Sequence, residues 1–226
     1  MDVRQRFTSW LEHPLIDSKT KEELRRIGDD PQEVEDRFFK WLEFGTGGLR
    51  GKIGAGMNRM NVYTVRLATQ ALADVLKSKG KAHAGVAIAH DSRHMSREFA
   101  ETTAGVLVGN GIPVYVFKEL APTPLLSFAV RHYKAGAGLV ITASHNPPEY
   151  NGYKVYDHKG NQLLTDAAFS ISRQMEKLDL EDVKTVTDPQ SDSLWTDLGE
   201  DVIQEYYKAV AQIAPFSETD CDVHVL

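Results

Sequence analysis

Three short, almost wholly apolar runs constrain the fold of this chain more than any other feature. GVAIAHD (85–91), IPVYVF (112–117) and AGLVITAS (137–144) each have the length of a strand, and segments of helical period separate them. A strand with one wet face alternates polar and apolar residues. These runs do not alternate, so each is expected to be covered on both faces. Strands of that kind joined through helices make a mostly parallel sheet with helices above and below, an α/β fold. YKVYD (153–157) reads as a fourth strand. Among the helices, VYTVRLATQALADVLKSKG repeats its apolar residues at helical spacing, with Asn61 as its cap and Gly80 at its end. A helix is expected near 96–110, another enters through Thr123-Pro124, and Thr165 is expected to cap DAAFSISRQMEKL. The first forty residues also read as helical, with Pro31 opening a helix after Asp30.

From about residue 179 the chain turns polar and reads as an exposed connection, followed by the helix DVIQEYYKAVAQI. The last residues, CDVHVL, read as a strand without a partner. The expected organisation is therefore a helical extension over 1–40, an α/β domain over 41–185, and a linker with the start of a second domain over 186–226. At 226 residues, with 42% apolar and 26% charged side chains, the chain is long enough for a sizeable core. A net charge of −6 argues against a nucleic-acid partner. The single cysteine, Cys221, forms no intrachain disulfide and suits a reducing, cytoplasmic location. No run approaches the ~18 apolar residues of a membrane span, so no membrane partner is expected.

In α/β sheets of this kind ligands bind at the carboxyl ends of the strands. Two such ends carry chemistry here: Asp91-Ser92-Arg93, and Ser144-His145 running into Pro147-Pro148. Three chemistries compete for them. A serine hydrolase wants G-x-S-x-G, which ASHNP is not, and neighbours on an extended chain point apart, which places His145 poorly as a base for Ser144. A zinc site at His90 and His94 lacks both the helix and the glutamate of H-E-x-x-H. Phosphoryl transfer asks for a stiffly held carrier and fixed cations. Ser144 would be the carrier; Arg50, Arg93 and Lys154, the last across a turn at 150–152, would be the cations. Each also has a bland reading. Lys154 can be a solvated edge charge, Arg50 the partner of a carboxylate, and GTGGLRG an ordinary tight turn.

The longer motifs go further. TASHNPPEYNGYKVY resembles the active-site serine loop of the alpha-D-phosphohexomutases, and GTGGLRG resembles that family's G-T-x-G-x-R-G element. NRMN, HDSRHMS and APTPLL follow in the family's order. The resemblance runs from about residue 40 onward and implies the first domain of that family, a three-layer α/β/α sandwich. It implies that Ser144 carries a phosphoryl group to a sugar monophosphate through a sugar 1,6-bisphosphate, which also serves as activator. His145 and Lys154 would assist proton and phosphoryl transfer, Thr46, Arg50, Asn146 and Arg93 would meet phosphate or substrate, and Mg²⁺ would bind through the Ser144 phosphate. The family's D-G-D-x-D-R metal loop is absent from this sequence. The partners implied are a sugar phosphate and the remaining domains, without which the cycle is not expected to close. A sugar-phosphate-binding module without catalysis is the alternative.

Overall fold

The structure is a computed structural model and describes residues 2–45 and 47–213. Thr46 and the expected strand at 221–226, with Cys221, lie outside the described residues. The chain begins with three helices, α1 (Val3–Glu12), α2 (Ser18–Ile27) and α3 (Pro31–Phe38). Each starts at an aspartate, Asp2, Asp17 or Asp30, whose carboxylate accepts first-turn backbone N–H groups that have no helical partner. Phe7, Trp10, Leu24, Val34 and Phe38 form their own core, closed by Ala55, Met57 and Tyr63 from the following segment. The expected helical extension is thus packed against the α/β unit.

Asp17 also ties the two parts together. Burial pushes its carboxyl up, but bonds from Tyr63 Oη (2.6 Å) and from the Thr20 N–H and hydroxyl outweigh that and hold it at about 2, below the usual 3.8. A depressed carboxylate contributes stability above its unfolded value and loses it as pH falls through the folded one. The contact between α2 and Tyr63 is therefore expected to weaken between pH 3.8 and about 2. Asp17→Asn should flatten that part of an acid titration followed by the fluorescence of Trp10, whose ring lies 5.6 Å from Tyr63.

After β1 (Gly48–Lys52) come α4 (Val62–Ser78), β2 (Val86–His90), α5 (Ser96–Gly109), β3 (Val114–Phe117), α6 (Thr123–His132), β4 (Ala137–Ile141), β5 (Tyr150–Asp157), α7 (Thr165–Met175), β6 (Trp195–Leu198) and α8 (Glu200–Ile213). The strands form one sheet in the order β1-β5-β4-β2-β3-β6. β2, β3, β4 and β6 pair in parallel, and β5 runs antiparallel to both β4 and β1. Alternate residues of one strand feed different cores. Val86 and Ile88 of β2 meet the layer of α4, α5 and α7, while Ala87 and Ala89 meet that of α6 and α8. This is the expected three-layer α/β/α sandwich with a mostly parallel mixed sheet.

Asn61 caps α4 as expected, its Oδ1 accepting from the N–H groups of Tyr63 and Thr64. Three expectations need correction. GLRGK, for which an ordinary tight turn stood as the bland alternative, is strand β1. WTDL, read as exposed connection, is edge strand β6, paired in parallel with β3, so the sheet reaches past 185. Helix α7 starts at Thr165 itself, with Leu164 in the cap position. No helix among the described residues is long and apolar enough to cross a membrane.

The chain leaving β2 runs through α5 to β3 on one side, whereas the chain leaving β4 turns to β5 on the other. Between these adjacent strands the connections diverge, which is where open α/β sheets bind ligands.

Candidate active site

Two strand ends meet at this divergence. Asp91 follows β2 and donates its N–H to Ile141 O, the last residue of β4, at 3.1 Å. From there Thr142 and Ala143 lead to Ser144, which has φ +58°. The left-handed region is disfavoured for a residue with a Cβ, and a side chain two residues back helps to hold it: Thr142 Oγ1 accepts the Ser144 N–H at 2.9 Å. The bend exposes the serine and the following histidine. It also overturns one expectation. On an extended chain His145 would point away, but the left-handed turn brings its Nδ1 to 3.4 Å from Ser144 Oγ.

The loop is stiff for further reasons. Asn146 N–H donates to Ala143 O, and Tyr150 N–H to Pro147 O. The expected turn at 150–152 lies earlier: β5 has begun by Tyr150. Asn151 is fully buried, and its Nδ2 donates to His94 O and Ser96 Oγ, both at 2.9 Å. Ser96 Oγ in turn donates to Asp91 Oδ1 at 2.7 Å. Asn146 has its Oδ1 buried without a donor among the described residues.

The glycine-rich motif is brought to this loop by strand pairing. Arg50 of β1 lies opposite Gly152 of β5, and Gly48 opposite Lys154. Arg50 and Lys154 are therefore diagonal neighbours on one sheet face. Neither is in an ion pair among the described residues. Burial lowers the Lys154 ammonium below its ordinary value, the Arg50 charge lowers it further, and Asp91 partly offsets both. Two cations held side by side, neither in contact with a carboxylate, are an arrangement that an anion stabilises.

Arg93 does something other than expected. Its Nη1 donates to the carbonyls of Pro147 (3.0 Å) and Tyr150 (3.1 Å), and its Nη2 to those of Ser144 (2.7 Å) and Asn146 (2.6 Å). Its Nε lies 3.5 Å from Asp91 Oδ2. The guanidinium is directed at the serine loop and has no Nη–H left for a phosphate. His90, weighed above as a metal ligand, is buried, with its Nδ1 3.1 Å from Asp91 O. Sequence reasoning missed Thr142 and the Ser96–Asn151 pair, whose one sequence signal is a hydroxyl or amide residue close to each strand end.

Magnesium was expected through a phosphate on Ser144. Asp91, the carboxylate at the neighbouring strand end, is already bonded to Arg93 N–H and Ser96 Oγ. No group of three or more His, Cys, Asp or Glu side chains is arranged as a ligand set among the described residues. A hard cation wants about six oxygen ligands. These residues do not by themselves fit a magnesium site.

The fold and loop define an α/β/α domain that presents one serine beside a histidine and two unpaired cations. The sequence model described as phosphoglucomutase/phosphomannomutase, alpha/beta/alpha domain I, matches residues 42–182, and the chain belongs to that family. A phosphoglucomutase of Staphylococcus epidermidis is 41% identical over 185 residues, which are 80% of this chain and 34% of that protein. One of Staphylococcus aureus (a bovine strain) is 44% identical over 146 residues, 65% of this chain and 26% of the relative. Among solved structures, a Thermus thermophilus protein described as a phosphomannomutase has a TM-score of 0.64 at 32% identity, over 76% of this chain and 36% of that one. The Paramecium phosphoglucomutase pp63/parafusin, at 19% identity and a TM-score of 0.58 over 77% of this chain and 35% of its own, shares the fold. The chain thus spans about a third of the length of the relatives it matches.

Proposed function

We propose that this chain is the phosphoryl-carrying first domain of an enzyme resembling phosphoglucomutase and phosphomannomutase. The whole protein would interconvert sugar 1-phosphates and 6-phosphates, or their pentose equivalents, in the cytoplasm. The observation that carries the reading is the exposed Ser144 hydroxyl on a pinned loop, with His145 Nδ1 3.4 Å away and the unpaired Arg50 and Lys154 on the adjoining strands.

The chemistry follows from these groups. Loading forms a bond between Ser144 Oγ and a phosphorus of a sugar bisphosphate and breaks the bond from that phosphorus to its sugar oxygen. The serine proton passes to His145 and from there to the departing sugar oxygen, so a sugar monophosphate leaves. The reverse step delivers the phosphoryl group to a hydroxyl of a monophosphate, whose proton returns by the same histidine. When the bisphosphate turns over between the two steps, the phosphate has changed position on the sugar. A phosphoserine carries about −1.5 to −2 charges. Arg50 and Lys154 supply the positive field, and a phosphate beside them offsets the burial and the Arg50 charge that lower the Lys154 ammonium. Asn146 would contribute a side-chain amide from the same loop, and Thr46 a hydroxyl from the glycine-rich motif. The sheet mainly positions these groups, since phosphoryl transfer rests on placement and charge stabilisation.

Phosphorus NMR tests the reading. The chain, mixed with glucose 1,6-bisphosphate and Mg²⁺, is expected to release about one glucose monophosphate per chain as the serine is loaded, and then to stop. A bisphosphate signal that never changes would contradict the carrier role.

A further inference from the structure

We propose that Arg93 is a positioning residue for phosphoryl transfer at Ser144, acting on the loop backbone and touching neither phosphate nor sugar; this rests on the carrier reading above. Four loop carbonyls, those of Ser144, Asn146, Pro147 and Tyr150, converge on its two Nη atoms at 2.6–3.1 Å. Carbonyl oxygens so gathered repel one another, and only a cation at their centre makes the arrangement stable. The two Nη atoms of the planar guanidinium provide four N–H groups in a fixed fork, whereas a lysine offers three from a single point. The contacts to uncharged acceptors are charge-assisted and correspondingly strong.

The consequence for the reaction comes through one peptide plane. In a trans peptide the N–H points opposite to the C=O. With the Ser144 carbonyl turned onto Arg93, the next N–H, that of His145, is turned away from it, and it has no acceptor among the described residues. The peptides after Asn146 and Pro147 lead into prolines and offer no N–H. Arg93 thereby holds Ser144 left-handed and leaves the adjacent His145 amide free to donate to an oxyanion on the serine. Arg93 is itself placed by Asp91, whose Oδ1 accepts the Arg93 N–H at 3.0 Å. One strand end at the divergence thus sets the geometry of the other.

The test compares wild type, Arg93→Lys and Arg93→Ala in two measurements. The first is the rate of phosphate loading against the concentration of glucose 1,6-bisphosphate. A positioning role predicts a maximal rate lowered by about a hundredfold in R93A, with half-saturation within about threefold and partial recovery in R93K. A phosphate ligand would instead raise the half-saturating concentration and leave the maximal rate, which would overturn the proposal. The second is hydrogen exchange. R93A should speed exchange of the Ser144, Asn146 and Tyr150 amides by about tenfold or more, while amides of β2 and β4 keep wild-type rates. Unchanged loop exchange also overturns the proposal. If the wild-type chain takes up no phosphate at all, the carrier reading fails for this chain, and loop exchange alone decides the role of Arg93.

Discussion

A chain with Ser144→Ala stays at its unmodified mass when incubated with glucose 1,6-bisphosphate and Mg²⁺, while the wild type gains one phosphoryl group. The loss is expected to be complete, because alanine at 144 has no hydroxyl to accept the phosphoryl group. A failed fold must be kept apart from a missing hydroxyl. Ser144 has φ +58°, a conformation that costs a residue with a Cβ about 1–2 kcal/mol and glycine little. Ser144→Gly relieves that cost and should fold at least as well as the wild type, yet it is expected to be equally blank in the mass spectrum. If either variant still takes up phosphate, the carrier is another residue.

The largest loss of stability is expected from Gly48→Ala. Gly48 has φ +141°, and a Cβ there would stand 1.8 Å from Tyr153 O and 2.8 Å from its carbonyl carbon. Both are backbone atoms of β5, so no side chain can swing aside. Either the β1–β5 ladder opens or β5 moves, and β5 carries Lys154. We expect a cost of more than about 3 kcal/mol, a large part of the stability of an ordinary domain. In a chain of this length that lowers the melting temperature by about 6–12 °C. Gly80→Ala is the control. Gly80 also has a positive φ, +67°, but an added Cβ meets nothing within 4 Å, so only the conformational cost of about 1 kcal/mol remains. Equal melting shifts for the two variants would show that the contact with Tyr153 is not what fixes glycine at 48.

That contact also shows what the sequence conceals. Strands β2, β3 and β4 were legible because both faces are covered, which leaves an apolar run that no loop would carry. β1 was not, because GLRGK has neither a run nor an alternation; pairing with β5 makes it a strand. β6 was missed for a similar reason. Only Leu198 of WTDL is buried, and an edge strand that wet leaves no periodic signal. Caps made by side chains, Asn61 and Asp30, were readable, whereas the start of α7 is not set by a side-chain bond and was placed one residue off.

At the site, Ser144, Arg50 and Lys154 were legible as residue types suited to phosphate, and the resemblance supplied their motif. The role of Arg93 was not legible. Its partners are backbone carbonyls, which every residue possesses, so nothing in the letters distinguishes an arginine that holds a loop from one that meets a ligand. The pairing of Ser144 with His145 escaped for a related reason. It depends on a left-handed serine, and sequence gives no ground for assuming that conformation where glycine is absent.

Peptide mapping of the wild-type chain after incubation with glucose 1,6-bisphosphate and Mg²⁺ tests the carrier role of Ser144 at the level of the residue. One phosphate is expected, on Ser144, within the peptide that carries ASHNPP. Phosphate on any other residue, or none on a chain shown by hydrogen exchange to be folded, would contradict it.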